Sequence, residues 1–224
     1  MRITYYGHST FTVETKETTI LIDPFITPNE VVEKDVNSFE PDYVFVTHGH
    51  EDHVADVETI AKNNDVQVIA NYEVANWFSE KGIDTYPMNF GGKVKCKDID
   101  VRMVTATHSS VLPDGSYGGN PAGFILQTKD KTVYISGDTD IHSDMNLFGE
   151  MFDIDVSILS IGGTFTMDSE TAVKAMELLN CERAIGAHYD TFPPIEIDSD
   201  EAQQIFRNKG YTLKLLDIGG EYTI

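Results

Sequence analysis

Positive charge is scarce in this sequence. Lys and Arg number 16 against 37 Asp and Glu, a formal net charge of −21 over 224 residues. So acidic a surface repels phosphate backbones, which argues against nucleic acid as a partner and leaves a small-molecule substrate as the expectation. Cysteine is scarcer still. Cys96 and Cys181 stand far apart and in no Cys-x-x-Cys pattern, which argues against a disulfide framework and favours two reduced residues over a catalytic thiol. Long apolar runs are missing too: nothing approaches the ~18 apolar residues of a membrane span. The opening MRITYYGHST lacks the apolar stretch of a signal peptide and reads as a first β-strand, so a cytoplasmic protein is expected. There is no low-complexity tract, short-period repeat or linker-like segment.

What is present is an ordinary apolar supply, 41% of residues, which excludes a disordered chain. The length suits one large domain spanning 1–224. Short strands are expected at Arg2–Tyr6, Thr10–Glu14 and Thr19–Ile22. Tyr43–Val46 is a compact apolar strand, followed by a helix over Val54–Lys62, a strand over Val66–Ala70 and a helix over Glu73–Lys81 that closes at Gly82. Strands then follow near Val94–Lys97, Ile99–Ala106, Gly123–Thr128 and Thr132–Ser136, the last two joined by a polar Lys129-Asp130-Lys131 turn. Val156–Ser160, Ala184–Ala187, Leu213–Leu216 and Glu221–Thr223 read as strands, and Ser169–Leu179 and Asp198–Lys209 as helices. Strands followed by strand–helix alternation, repeated once, predict a layered α/β sandwich of two sheets flanked by helices.

The chemistry concentrates in His48-Gly49-His50-Glu51-Asp52-His53, directly after the Tyr43–Val46 strand. Four metal-ligand types within six residues, on a loop at a strand's carboxyl end, suit zinc and neighbouring first-row ions. The chain has only seven histidines, and two more of them recur in the same setting. His108 follows the Ile99–Ala106 strand and His188 follows Ala184–Ala187; Asp138 likewise follows Thr132–Ser136. Residues at the ends of several strands can converge on one rim of a sandwich.

This pattern resembles the metallo-β-lactamase superfamily across essentially the whole chain. Gly7-His8-Ser9, Asp23-Pro24-Phe25, Gly163-Thr164-Phe165-Thr166-Met167 and His188-Tyr189-Asp190-Thr191-Phe192-Pro193 narrow it to a bacterial and archaeal subfamily of metal-dependent hydrolases similar to ascorbate-6-phosphate lactonase. The resemblance implies a four-layered αβ/βα fold with two divalent metal ions. His48, His50 and His108 would hold the first, Asp52, His53 and His188 the second, and Asp138 would bridge them. Two such ions acidify a shared water towards neutral pH, and the hydroxide attacks an ester, lactone, amide or phosphoester. Asp52 would relay a proton to the leaving group. Zinc is the first choice, with manganese or iron open. Flavo-diiron proteins of this fold have Glu where His50 stands, so histidine favours hydrolysis over redox chemistry. Relatives often self-associate, which leaves a homo-oligomer open.

Other positions carry two readings each. His8 is expected to bind substrate or assist proton transfer rather than merely bond within a turn. Asp23 either forms a turn or orients a ligand histidine. His142 is expected as a surface histidine preceding a helix, and Tyr189 as a packed aromatic rather than an oxyanion donor. Asp190 replaces the subfamily's frequent Gly or Asn. Gly162-Gly163-Thr164 lacks the spacing of a phosphate-binding loop and reads as a tight turn beside the site. Glu51 should face solvent. Two further functions compete: a phosphodiesterase or nuclease-like hydrolase, favoured by turnover of a generic phosphodiester alone, and a non-catalytic metal-binding protein, favoured by a metal without exchangeable water.

Overall fold

Apolar residues fill the central strands, and the computed structural model, which describes residues 1–224, shows why both of their faces must be apolar. In β3 (Thr19–Ile22), Ile20 and Ile22 enter the core between two sheets while Leu21 joins a second core beneath helices. β4 (Tyr43–Phe45) sends Phe45 inward and Val44 outward; β5 (Gln67–Asn71) sends Ile69 inward and Val68 and Ala70 outward. Successive strand residues alternate faces, so a strand covered on both sides reads as a continuous apolar run.

The first sheet runs β14 (Glu221–Thr223), β1 (Arg2–Tyr5), β2 (Phe11–Glu14), β3, β4, β5 and β6 (Thr85–Met88). The second runs β13 (Thr212–Lys214), β12 (Arg183–Ala187), β11 (Val156–Ser160), β10 (Thr132–Ile135), β9 (Ala122–Gln127), β8 (Ile99–Thr105) and β7 (Lys93–Cys96). Each sheet begins with antiparallel pairs and continues in parallel, from β3 to β6 and from β10 to β13. Parallel strands send their carboxyl ends the same way, which is what gathers the loops of a site. Phe45 and Phe124 meet edge to face across the sandwich with ring centroids 5.1 Å apart. Helices α2 (Val57–Asn64) and α3 (Tyr72–Ser79) cover the first sheet. Helices α4 (Asp144–Met151), α5 (Ser169–Leu179) and α6 (Ser199–Asn208) pack side by side against the second. This is the expected four-layered αβ/βα sandwich. No helix is long and apolar enough to cross a membrane.

Local chemistry sets the details. α5 opens with a reciprocal cap: the Asp168 carboxylate accepts from Thr171 N–H at 2.8 Å, and Thr171 Oγ1 accepts from Asp168 N–H at 2.9 Å. The polar turn between β9 and β10 closes through Thr128 N–H to Lys131 O at 2.8 Å. Cys96 and Cys181 are buried and unpaired.

Two elements differ from the sequence reading. The single helix expected over Val54–Lys62 is two, α1 (Glu51–Val54) inside the histidine motif and then α2. Asp56 lies between them, with its carboxylate accepting the N–H groups of Ile26 and Thr27 at 2.6 and 2.8 Å. That ties the loop after β3 to the motif. β6 goes unread in the sequence because Pro87 and the exposed Tyr86 mask it, as an edge strand tolerates. α4 is the helix expected after His142, although it contains Gly149, a poor helix former. A Cβ there would stand 2.5 Å from Leu178 O, so glycine is what lets α4 lie against α5.

Candidate metal centre

Every expected ligand, like the two candidate residues His8 and Asp23, lies where a strand ends. His8 follows β1, Asp23 follows β3, His48–His53 follow β4, His108 follows β8, Asp138 follows β10 and His188 follows β12. The structure brings their side chains together in three overlapping groups, each with donor atoms within 4.8 Å of one another. One group is His48, His50 and His108. A second is His8, Asp52, His53 and His188. The third, His48, His53 and Asp138, connects them.

In the first group His48 Nε2 and His50 Nδ1 lie 2.9 Å apart, and the His108 ring stands 5.2 and 5.1 Å from theirs. Asp138 is central. Its Oδ2 lies 2.9 Å from His188 Nε2, 3.3 Å from His53 Nε2 and 3.8 Å from His108 Nε2. Asp52 Oδ2 lies 2.9 Å from His8 Nε2, and 3.7 and 3.9 Å from the Nε2 atoms of His188 and His53.

A ring of partners fixes these side chains. Asp23 Oδ2 accepts from His53 Nδ1–H at 2.8 Å and from the Thr47 hydroxyl at 2.7 Å; its Oδ1 accepts from Thr47 N–H at 2.8 Å. Having donated its proton to Asp23, Thr47 Oγ1 can only accept from His48 Nδ1, 3.1 Å away. Both rings thereby turn Nε2 towards the cluster, where His48 offers a lone pair and His53 offers one once its second proton has left, as a metal ligand needs. Asp23 is therefore an orienting acceptor, and its turn-like φ of 43° serves that aim. His8 is clamped between Asp52 and Thr191, whose Oγ1 is 3.0 Å from His8 Nδ1. Ser110 Oγ accepts from Gly49 N–H at 3.0 Å and tethers the His108 loop to the motif.

Backbone strain collects here as well. His8, Asp23, His188 and Asp190 have φ of 54°, 43°, 55° and 56°. Such left-handed conformations cost a non-glycine residue about 1 kcal/mol or more each. His188 N–H donates to His8 O at 2.7 Å, joining two of the strained residues.

Charge divides the histidines into two kinds. Burial first, then repulsion by neighbouring histidines, outweighs the attraction of Asp138 and keeps His48 well below its ordinary value. Burial likewise lowers His50 and His108. These three are neutral imidazoles. Burial also pushes His8 down to about 4, although its bond to Asp52 pulls the other way. For His53 burial is outweighed by Asp138, Asp23 and Asp52, which hold it well above the ordinary value. For His188 burial is overcome by Asp138 and then Asp52, to about 9. Asp52 and Asp138 are in turn held below the usual carboxylate range, since His53 and His188 more than offset burial.

The family follows from comparison with known proteins. A family model described as "Beta-lactamase superfamily domain" matches residues 2–188. A UPF0173 metal-dependent hydrolase of Christiangramia forsetii is 43% identical over 221 residues, 98% of each chain. One from Flavobacterium johnsoniae is 44% identical over 220 residues, again 98% of each. The chain belongs to the metallo-β-lactamase superfamily, among its metal-dependent hydrolases. Among solved structures it is similar to Igni18, a metallo hydrolase from Ignicoccus hospitalis. The TM-score is 0.90 and the identity 32%, covering 100% of this chain and 98% of that one. An isothiocyanate hydrolase from Delia radicum gut bacteria shares the fold, with TM-score 0.81 and 17% identity over 100% and 99% of the two chains.

The remaining superfamily-motif positions sort cleanly. Tyr189 is a packed aromatic, stacked on Tyr5 with centroids 6.1 Å apart. Asp190 Oδ1 accepts from Ile197 N–H at 2.9 Å and so shapes its own loop. Gly162 and Gly163 form the expected tight turn, with Gly163 N–H bonded to Met167 O at 2.9 Å. Glu51 is exposed. His142 is not the surface histidine expected: both ring nitrogens are buried without partners, and the ring packs edge-on to Phe148. It stands outside the ligand groups. Sequence reasoning missed Thr47, Ser110 and Thr191. The only signal for them is a hydroxyl adjacent to, or two or three positions from, a ligand histidine.

Proposed function

We propose that this hydrolase binds two divalent cations, zinc foremost, and hydrolyses an ester, lactone, amide or phosphoester of a small molecule. One observation carries the reading: two sets of donors flank a single buried carboxylate, Asp138. In this reading His48, His50 and His108 hold one ion, Asp52, His53 and His188 hold the other, and Asp138 serves both. The residues fit such ions. His53 Nε2 and Asp138 Oδ1 are buried without hydrogen-bond partners. Buried polar atoms so left cost about 1–3 kcal/mol each unless something occupies them. Imidazole and carboxylate are the donors zinc and its neighbours take.

When bound, the ions supply Lewis acidity that makes water nucleophilic at neutral pH and polarises the scissile bond. The chain supplies the rest. Thr47 and Asp23 keep the His48 and His53 lone pairs aimed inward. His8, through Nε2, holds Asp52 Oδ2 in place, and Asp52 passes a proton to the leaving group. His8 thus positions the acid–base residue. A cytoplasmic setting is part of the reading, and the two buried free thiols accord with it.

The test is elemental analysis of purified protein with lactone, ester, thioester and phosphodiester substrates, before and after chelation. Near two ions per chain and chelator-sensitive turnover of one class are expected, as is loss of both in Asp52→Ala and His50→Ala. Variants that bind metal and hydrolyse substrate like wild type, or a protein that takes up no metal after reconstitution, sink the reading.

A further inference from the structure

The loops that carry the site contain no cation. Residues 6–10, 23–29, 47–56, 106–121, 136–143, 161–168 and 188–198 include no lysine or arginine, although the chain has 16. They do include Glu51, Asp114, Asp140, Asp168, Asp190 and Glu196, all beyond the proposed ligands. The cations of neighbouring segments are occupied elsewhere. Lys34 lies over the Phe39 ring at 5.0 Å, and Lys81 lies 3.4 Å over Trp77 while paired with Glu58 at 3.2 Å.

Besides these carboxylates, the loops expose apolar side chains. Phe192 is 37% exposed and stands 5.4 Å, ring to ring, from His8. Phe165 is 54% exposed, on a loop tied to the Phe192 loop by Thr164 Oγ1–H to Pro194 O at 2.7 Å. Val111 and Tyr117, both exposed, pair across the loop that carries His108. A cavity of about 610 Å³ borders His8 and Thr191. Its walls are apolar at Tyr5, Val31, Tyr189 and Leu216, with Asp190 and Asp217 as its only charged side chains.

We propose that the substrates of this site are uncharged electrophiles with an apolar or aromatic body, and that phosphorylated or carboxylated substrates are selected against. This rests on the hydrolase reading above and narrows its substrate class. A phosphate or carboxylate group is normally gripped by Arg, Lys or aligned donors. Away from the ions themselves, such a group on these loops would find no Arg or Lys and several carboxylates, and repulsion of that kind discriminates as effectively as attraction. Apolar groups would instead bury surface against Phe165 and Phe192.

The experiment compares matched probes on the zinc-loaded protein: phenyl acetate against 4-carboxyphenyl acetate, and dihydrocoumarin against 4-nitrophenyl phosphate and bis(4-nitrophenyl) phosphate. At least a tenfold higher kcat/KM for the neutral member of each set is expected. Phe192→Arg should narrow that ratio severalfold through KM, with metal content unchanged. Equal or better turnover of the anionic members overturns the inference and leaves the hydrolase reading standing. If no probe is turned over by metal-loaded protein, the hydrolase reading falls, and equilibrium dialysis decides the inference. Binding of 4-nitroacetanilide without 4-nitrophenyl phosphate supports it, and the reverse overturns it.

Discussion

Asp23 and His53 are joined through Asp23 Oδ2 and His53 Nδ1 at 2.8 Å, and the other carboxylate oxygen takes the N–H of Thr47, also at 2.8 Å. One buried acid thus aims two consecutive parts of the histidine motif. Asp23→Ala is expected to weaken metal binding by about 10–100-fold, the usual effect of removing a partner behind a ligand. It should also cost stability, because the buried Thr47 N–H loses its acceptor at about 1–3 kcal/mol. Asp23→Asn keeps an acceptor for Thr47 and should recover most of the stability while leaving metal binding weak. Chelator competition and denaturant unfolding of both variants check this. Wild-type affinity in Asp23→Ala would remove the orienting role.

Gly162 makes a second prediction, because it is placed by contact rather than by its own conformation. A Cβ there would overlap His188 O and stand 2.8 Å from Ile195 Cβ. Backbone cannot step aside as a flexible side chain can. Gly162→Ala should therefore displace His188 and lose one ion per chain preferentially, at a cost in stability of about 1–3 kcal/mol. Metal analysis of the folded variant reads the first effect and chemical denaturation the second. Full occupancy of both ions would show that the loop absorbs the methyl group.

Much of this was legible in the sequence, for a physical reason. Strands buried on both faces, such as Tyr43–Phe45 and Val156–Ser160, must be apolar throughout, and that leaves a plain mark. Ligand histidines are rare residues in a repeated setting, the end of such a strand, so His108 and His188 could be tied to the motif without any view of their distance. Elements and contacts decided by tertiary neighbours left no such mark. β6 reads poorly because its edge position tolerates Pro87, and the extent of α4 because packing on α5 demands Gly149. Thr47 and Thr191 look like ordinary loop threonines until the rings of His48 and His8 are set beside them. The position of His142 depended on Phe148, a neighbour that periodicity could not identify as such.

Removal of metal should lower stability as well as activity. Without an ion, the Nε2 of His53 and the Oδ1 of Asp138 are buried and unbonded, while Asp138 stays charged among histidines. A ligand that binds only the folded state stabilises it by RT ln(1 + [L]/Kd), about 4 kcal/mol at a thousandfold excess over Kd. Chelation followed by thermal unfolding should show a Tm lower by several degrees, restored by adding zinc. A Tm indifferent to chelator and to zinc would indicate that no ion is bound there.

The two proposed ion sites should differ in their dependence on pH. His188 sits at about 9: its burial opposes charge, but Asp138 and Asp52 overcome that. His53 is likewise held well above its ordinary value by Asp138, Asp23 and Asp52 against the effect of burial. The metal-free protein therefore holds a proton on each more tightly than on an ordinary histidine, and that proton must leave before the nitrogen can ligate. His48, His50 and His108 are pushed the other way, chiefly by burial, and have no proton to release. The sign follows directly. Below about pH 9, affinity at the Asp52–His53–His188 site should fall as pH falls, about tenfold per pH unit for each proton displaced. The His48–His50–His108 site should depend on pH less steeply. Calorimetric titration with zinc in two buffers of different ionisation enthalpy separates the two events. Greater proton release in one binding event than in the other is the expected result. Protons shared evenly between both events, or none released, would mean that the carboxylates do not hold His53 and His188 charged.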